Sequence, residues 1–196
     1  HDTYNLKIFE LARVFLSDGE KKLPKENKVL IGAVSGNYHQ PNWRDKAVSS
    51  TLYDLKGVVE KLLLELGITD YELLAGDHPT LHPSRQIKLV HQGTIFGIMG
   101  ELHSDIAEEL KLPGGIYLFE LDWDNLVSRV NLKRRFKPLP RYPAVRRDIA
   151  ILVKEDVLSA QITGIIENTG KDLIEDDSLF DVYQGDKIAV GYKSLA

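Results

Sequence analysis

The sequence predicts an α+β fold in two units: an antiparallel sheet with a few helices, then a smaller βαββ unit. Three observations carry this. Apolar residues alternate with period two in several short runs and switch to helical spacing in only a few stretches. Charge is segregated: the formal net charge is -4, yet residues 132–147 hold seven basic residues and no acidic one. Within that stretch, Pro138, Pro140 and Pro143 restrict the backbone and remove amide donors, so it reads as an extended connection between two bodies. The bodies on either side are acidic, residues 1–131 summing to -5 and 148–196 to -6. A solvated linker and a functional basic segment are both open on charge alone.

Composition narrows the class. The 196 residues are 43% hydrophobic and 28% charged, an ordinary globular balance that fits neither disorder, collagen nor a coiled coil. No run approaches the ~18 apolar residues of a membrane span, and the first residues lack the layout of a signal peptide. The chain has no cysteine, which excludes disulfides, thiolate nucleophiles and Cys-ligated zinc, and is compatible with a reducing compartment.

Residues 6–15 and 28–35 are apolar, β-branched and aromatic runs separated by a polar loop, the pattern of two strands. Leu52, Leu55, Val59, Leu62 and Leu66 recur at spacings of 3 and 4 and define a helix over 51–66, with Val58 and Leu63 widening its stripe and Gly67 at its C-terminal end. Ile87, Leu89 and His91, then Gly93-Thr94, then Ile95, Ile98 and Met99 predict a hairpin. A short helix is expected at 103–111, a strand at 116–122 and a short helix at 122–129.

In the second unit, residues 148–154 are apolar on both faces, which predicts a central strand. Leu158, Ile162, Ile165 and Ile166 predict a helix that Gly170 closes. Strands follow around 178–184 and 188–195 across a Gly185-Asp186 turn. The order β-α-β-β is the first part of a ferredoxin-like βαββαβ unit, so the domain is expected to be truncated and the natural polypeptide to continue past Ala196.

Catalytic chemistry is hard to find. His78 and His82 are four apart, but Pro79 and Pro83 oppose a helix there, and no third ligand lies at motif spacing. Gly93, Gly97 and Gly100 lack the Gly-Lys-Ser/Thr of a phosphate loop and read as hairpin glycines. Ser49 and Ser50 have no nucleophile-elbow context, and Glu108-Glu109 reads as a solvated helix face. No catalytic residue and no metal ligand is therefore expected. The second unit does offer a recognition surface. Strand parity sets Phe180 and Val182 toward the helix and Asp181 and Tyr183 on the open face, with Ser194 joining them from the next strand. An exposed ring can stack on a base, a carboxylate can accept from a base amino group, and Arg146 and Arg147 could hold phosphates. An ordinary strand with a surface tyrosine is the competing reading.

Several segments resemble one family. Pro143-Ala144-Val145-Arg146-Arg147-Asp148, Leu179-Phe180-Asp181-Val182-Tyr183-Gln184-Gly185 and Lys193-Ser194-Leu195-Ala196 resemble the ferredoxin-fold anticodon-binding domain that ends the β subunit of bacterial phenylalanyl-tRNA synthetase. Upstream, residues 8–15, 53–60, 82–85 and 117–122 resemble the class II synthetase-like catalytic-like domain of the same subunit, with Ser84 and Ser104 departing from the family's Gly and Pro.

The resemblance implies residues 1–131 as a catalytic-like but degenerate domain, 132–147 as a basic linker and 148–196 as a truncated anticodon-binding domain. The first strand lacks the Arg-x-Glu of a class II active site, and no Gly-x-Gly-x-x-Arg follows, so the fragment is expected to be non-catalytic. Position by position, the resemblance carries Asp181, Tyr183 and Ser194 over to the anticodon of tRNA(Phe) and Arg147 to the RNA backbone, the same three residues that strand parity sets on one face. It further implies an α subunit partner in an (αβ)2 assembly, ATP and Mg2+ used by the holoenzyme and not bound by this fragment, editing and Mg-binding parts upstream of His1, and a cytoplasmic location. The alternative is a free-standing small-molecule enzyme on an α+β scaffold.

Overall fold

The structure is a computed structural model that describes residues 5–17, 19, 23–39, 42–133, 136 and 142–196. The chain divides into two compact units, His1–Arg134 and Arg135–Ala196. Arg134, Arg135, Lys137, Pro138, Pro140 and Arg141 of the expected basic connection lie outside the described residues.

The first unit is built on strands β1 (Leu6–Leu16), β2 (Lys25–Ser35), β5 (Glu72–Ala75), β6 (Leu81–His91), β7 (Thr94–Leu102) and β8 (Ile116–Asp122). They form one antiparallel sheet in the order β1-β2-β8-β7-β6-β5. Two short strands, β3 (Asn37–His39) and β4 (Val48–Ser49), pair separately. Helices α1 (Leu52–Glu65), α2 (Ser104–Glu109) and α3 (Trp123–Ser128) complete the unit.

Local chemistry explains the element ends. Thr51 caps α1 through a reciprocal box with Asp54: the Thr51 amide donates to Asp54 Oδ2 (2.7 Å) and the Asp54 amide to Thr51 Oγ1 (3.4 Å). At the other end, Gly67 turns left-handed (φ +70°), its amide donates to Leu64 O and the Ile68 amide to Leu63 O. This double bond satisfies carbonyls the helix would leave open, and Ile68 is buried beside it. Thr51→Ala is expected to cost about 1 kcal/mol, read as faster amide hydrogen exchange in the first turn of α1. The β6–β7 hairpin turns through Gln92 (φ 48°) and Gly93 (φ 75°), whose paired positive φ values match the twist of the flanking strands.

Leu55, Val59 and Leu63 of α1 are buried against Leu30, Leu89, Met99, Phe119 and Leu121 of the sheet and Leu126 of α3. Val58 differs from expectation: it is exposed, because the helix buries the stripe Leu55, Val59 and Leu63, and Val58 lies off it. One core residue arrives by an irregularity. Leu89 pairs with Gly97 and Val90 with Ile95, so Phe96 is an extra residue in β7. The bulge brings Phe96 into the core although its neighbour Gly97 also faces it. Gly97 has no room for a Cβ, which would collide with the Leu121 side chain. The Phe96 ring meets the edge of Tyr71 (centroids 6.4 Å) and lies under the Arg129 guanidinium (5.2 Å).

The second unit has strands β9 (Ile151–Lys154), β10 (Val182–Tyr183) and β11 (Tyr192–Leu195), with helix α4 (Ser159–Gly170) and one 3-10 turn, Lys171–Leu173. Its sheet order is β10-β11-β9, all antiparallel. This is the order of the first three strands of a ferredoxin-like unit. Four expectations need correction. The first strand starts at Ile151 rather than 148; it is paired on the side toward β11, and Leu152 is exposed on the face it shares with Ser194. The second spans only Val182–Tyr183, although the Phe180 and Asp181 amides both donate to Ala196 O. Phe180 and Val182 stay exposed instead of meeting the helix, and α4 buries no residue, so Leu195 is the buried core residue of this unit among those described. Gly170 does not supply the left-handed turn. Lys171 does (φ 45°), and Gly170 is needed because a Cβ there would run into Ile174.

Candidate nucleic-acid interface

Register fixes the geometry of the β10–β11 pair. Tyr183 lies opposite Ser194 and Val182 opposite Leu195. The ladder extends by one step, the Asp181 amide donating to Ala196 O (3.1 Å) and the Ala196 amide to Asp181 O (3.0 Å). Side chains alternate across the sheet, so Asp181, Tyr183 and Ser194 share one face and Val182 and Leu195 the other. Leu195 is buried and marks the core side, although Val182 on that side is 52% exposed; Tyr183, on the other side, is 42% exposed.

The β11–β9 register extends that face. Ser194 pairs with Leu152, and Tyr192 with Lys154. The open side therefore carries Asp181, Tyr183, Ser194, Leu152, Tyr192 and Lys154: two phenols, one hydroxyl, a carboxylate and an ammonium within one small sheet. Sequence reasoning missed Tyr192 and Lys154. Tyr192 was legible, being two residues from Ser194 on the same strand. Lys154 was not, since its place depends on the pairing partner of β9.

Tyr183 is also held from the side. A Cβ on Gly185 would sit 2.5 Å from the Tyr183 hydroxyl oxygen and 2.7 Å from Cζ, so the ring packs on the bare glycine backbone. Lys193, on the opposite parity, is occupied elsewhere and donates from Nζ to Glu155 O (2.7 Å). Arg146 and Arg147 are exposed ahead of β9, and Arg147 Nη1 donates to Arg146 O (3.1 Å). Among the described residues, no hydrogen bond or ion pair joins them to the Tyr183–Ser194 ladder.

Elsewhere, polar groups are absorbed by structure. Arg85 clasps Glu101 with two bonds, Nε–Oε2 at 2.5 Å and Nη2–Oε1 at 3.2 Å. Burial, reinforced by Glu101 and partly offset by Arg85, holds the nearby Tyr117 hydroxyl above its usual pKa of 10.0. His78, His82 and His103 each accept a backbone N–H through Nδ1, from Thr80, Ser84 and Asp105 respectively. Among the described residues no three His, Asp or Glu side chains are grouped to hold a metal ion, and no helix is long and apolar enough to cross a membrane. On the sheet face away from α1, a hollow of about 80 Å³ is lined by Ile31, His78, Thr80, Leu81, Ile98, Leu118, Phe119 and Glu120. Its walls are mostly apolar, its formal charge comes from a carboxylate, and neither arginine nor lysine lines it.

Comparison with known proteins accounts for both units. Residues 1–123 match the family described as phenylalanyl tRNA synthetase beta chain CLM domain, and residues 140–196 match the ferredoxin-fold anticodon binding domain. The chain is similar to the phenylalanine–tRNA ligase beta subunit of Symbiobacterium thermophilum, 39% identical over 98% of this chain and 22% of that protein. It is similar to the beta subunit from Clostridium acetobutylicum, 34% identical over 100% of this chain and 24% of the relative, and to that from Geobacillus kaustophilus, 36% identical over 98% and 24%. The chain thus spans less than a quarter of the length of these relatives. On the likeness of its whole length, it belongs to the phenylalanyl-tRNA synthetase beta chain family.

Proposed function

We propose that the chain serves phenylalanine–tRNA ligase as a non-catalytic part of its β subunit, supporting ATP-dependent charging of tRNA(Phe) through subunit assembly and anticodon recognition. In this reading residues 1–131 are a class II-like catalytic-like domain, 132–147 a basic linker and 148–196 the anticodon-binding domain. The observation that carries it is the cross-strand pair of exposed Tyr183 with half-buried Ser194, flanked by Asp181. The Tyr183 ring would stack on an anticodon base, Asp181 would accept from a base amino group, and Ser194 would donate or accept at a base edge. Arg146 and Arg147 would hold the RNA backbone. Tyr192 and Lys154 extend the same face with a second ring and a cation.

The ATP and Mg2+ of the reaction belong to the holoenzyme. The hollow on the first unit's sheet does not fit a triphosphate, because its wall charge is the Glu120 carboxylate and no guanidinium is present to take phosphate. Assembly is supported by β1, a sheet-edge strand whose Phe9, Leu11 and Phe15 are exposed on one face. A long apolar edge of this kind calls for a protein partner, here the α subunit of an (αβ)2 enzyme in the cytoplasm. The whole-length likeness to ligase β subunits favours this reading over a free-standing small-molecule enzyme.

In the intact synthetase, Asp181→Ala and Gly185→Ala are expected to raise the KM for tRNA(Phe) while phenylalanine-dependent ATP–pyrophosphate exchange keeps its rate. The first removes an acceptor. The second displaces the Tyr183 ring without touching its chemistry. Loss of exchange with an unchanged tRNA KM would overturn the proposal.

A further inference from the structure

The small sheet of the second unit holds another aromatic row beside the Tyr183–Ser194 pair. Tyr192 stands two residues before Ser194 on β11, and Lys154 lies opposite it on β9. Residues two apart on a strand point the same way, so both belong to the face that carries Asp181 and Tyr183. Tyr192 is 39% exposed, close to the value for Tyr183, and Lys154 is exposed too. The two tyrosines are diagonal neighbours across the β10–β11 pair, a relation that sets such positions about 7–8 Å apart. Leu152 is exposed on the same face, opposite Ser194.

Two details bring the rows together. The Tyr183 ring packs on Gly185, so it leans forward along its own strand. From Val182 to Tyr183 the partner changes from Leu195 to Ser194, so forward on β10 is the direction of Tyr192 on β11. Lys154 enters no ion pair among the described residues. Lys193, on the other face, is instead taken up by Glu155 O (2.7 Å).

We infer that the Tyr192–Lys154 row is a second nucleotide subsite: Tyr192 stacks on the base next to the one held by Tyr183, and Lys154 takes a phosphate of the same strand. RNA-binding sheets with aromatics on neighbouring strands stack two or three successive bases in this manner. RNA is the occupant because residues 140–196 match an anticodon binding domain and the register makes the new row continuous with the Asp181–Tyr183–Ser194 face. The inference rests on the anticodon reading of that face and deepens it from one base to two.

The test uses the intact synthetase with tRNA(Phe), natural and with single abasic nucleotides in the anticodon loop, and measures dissociation constants across a salt series. Tyr192→Ala is expected to weaken binding of natural tRNA roughly 5- to 150-fold, and Tyr192→Phe to keep most of the affinity. That loss should vanish when one particular base is already absent, and the loss in Tyr183→Ala should vanish at the neighbouring position. Lys154→Gln, an exposed change that leaves the strand backbone paired, is expected to flatten the log–log salt slope by about 0.7, the figure for one single-strand phosphate. Coupling of Tyr192 to no base, or to the same base as Tyr183, would overturn the inference, as would an unchanged slope in Lys154→Gln. Loss of subunit association with tRNA affinity intact would overturn it too, and make the row a protein contact. If Tyr183→Ala weakens binding while the Tyr192 and Lys154 variants do not, the second subsite fails and the anticodon reading stands. If Tyr183→Ala has no effect, the anticodon reading falls and the inference falls with it.

Discussion

Phe96→Ala is expected to destabilise the first unit by about 3–5 kcal/mol, seen as a collapse of amide protection across β6, β7 and β8 in the intact subunit. The size follows from position. Phe96 is 1% exposed, it sits at a bulge, and the glycine beside it cannot grow to fill the void because Leu121 already occupies that space. The change also removes the surface beneath the Arg129 guanidinium, whose buried Nε has no hydrogen-bond partner among the described residues. An exposed aromatic gives the contrast. Phe9→Ala on β1 leaves no cavity, and its stability cost is expected to stay within about 0.5 kcal/mol.

Tyr183→Ala is the second large effect, and it falls on binding rather than on stability. The side chain is 42% exposed and its strand pairing is made by the backbone, so the sheet should survive its truncation. Loss of one stacked base costs about 1–3 kcal/mol, a fall in tRNA(Phe) affinity of roughly 5- to 150-fold. Tyr183→Phe keeps the ring and should keep most of the affinity. Stacking involves no phosphate, so the salt dependence of binding should be unchanged in Tyr183→Ala while it flattens when Arg146 and Arg147 are replaced by alanine.

The sequence and the structure part company where non-local pairing decides. Helix α1 was legible because apolar spacing and a terminal glycine agree within one short segment. The hairpin was legible from its flanking strands and glycine, but its turn falls at Gln92–Gly93 and not at Gly93-Thr94. Phe96 was not placed as core, since the bulge depends on the register of two strands and no local pattern announces it. In the second unit, parity alone put Asp181, Tyr183 and Ser194 on one face, and the register agrees. Parity could not supply Lys154, which reaches that face through its pairing with Tyr192. The expectation that residues 148–154 form a central strand rested on their two-sided apolarity. In a unit with three strands β9 pairs with β11 alone, and Leu152 is exposed because it shares the open face with Ser194. The same limit explains Phe180 and Val182, whose face was read correctly but whose burial was not.

The central claim is that the Asp181–Tyr183–Ser194 face reads the anticodon. A double-mutant cycle tests it most directly: wild-type and Tyr183→Ala synthetase, each with tRNA(Phe) and with tRNA(Phe) altered in the anticodon, compared by kcat/KM for charging. The claim predicts that either change alone lowers kcat/KM and that both together do little more harm than one. Losses that simply multiply would contradict it, because they would mean that Tyr183 and the anticodon act at separate places.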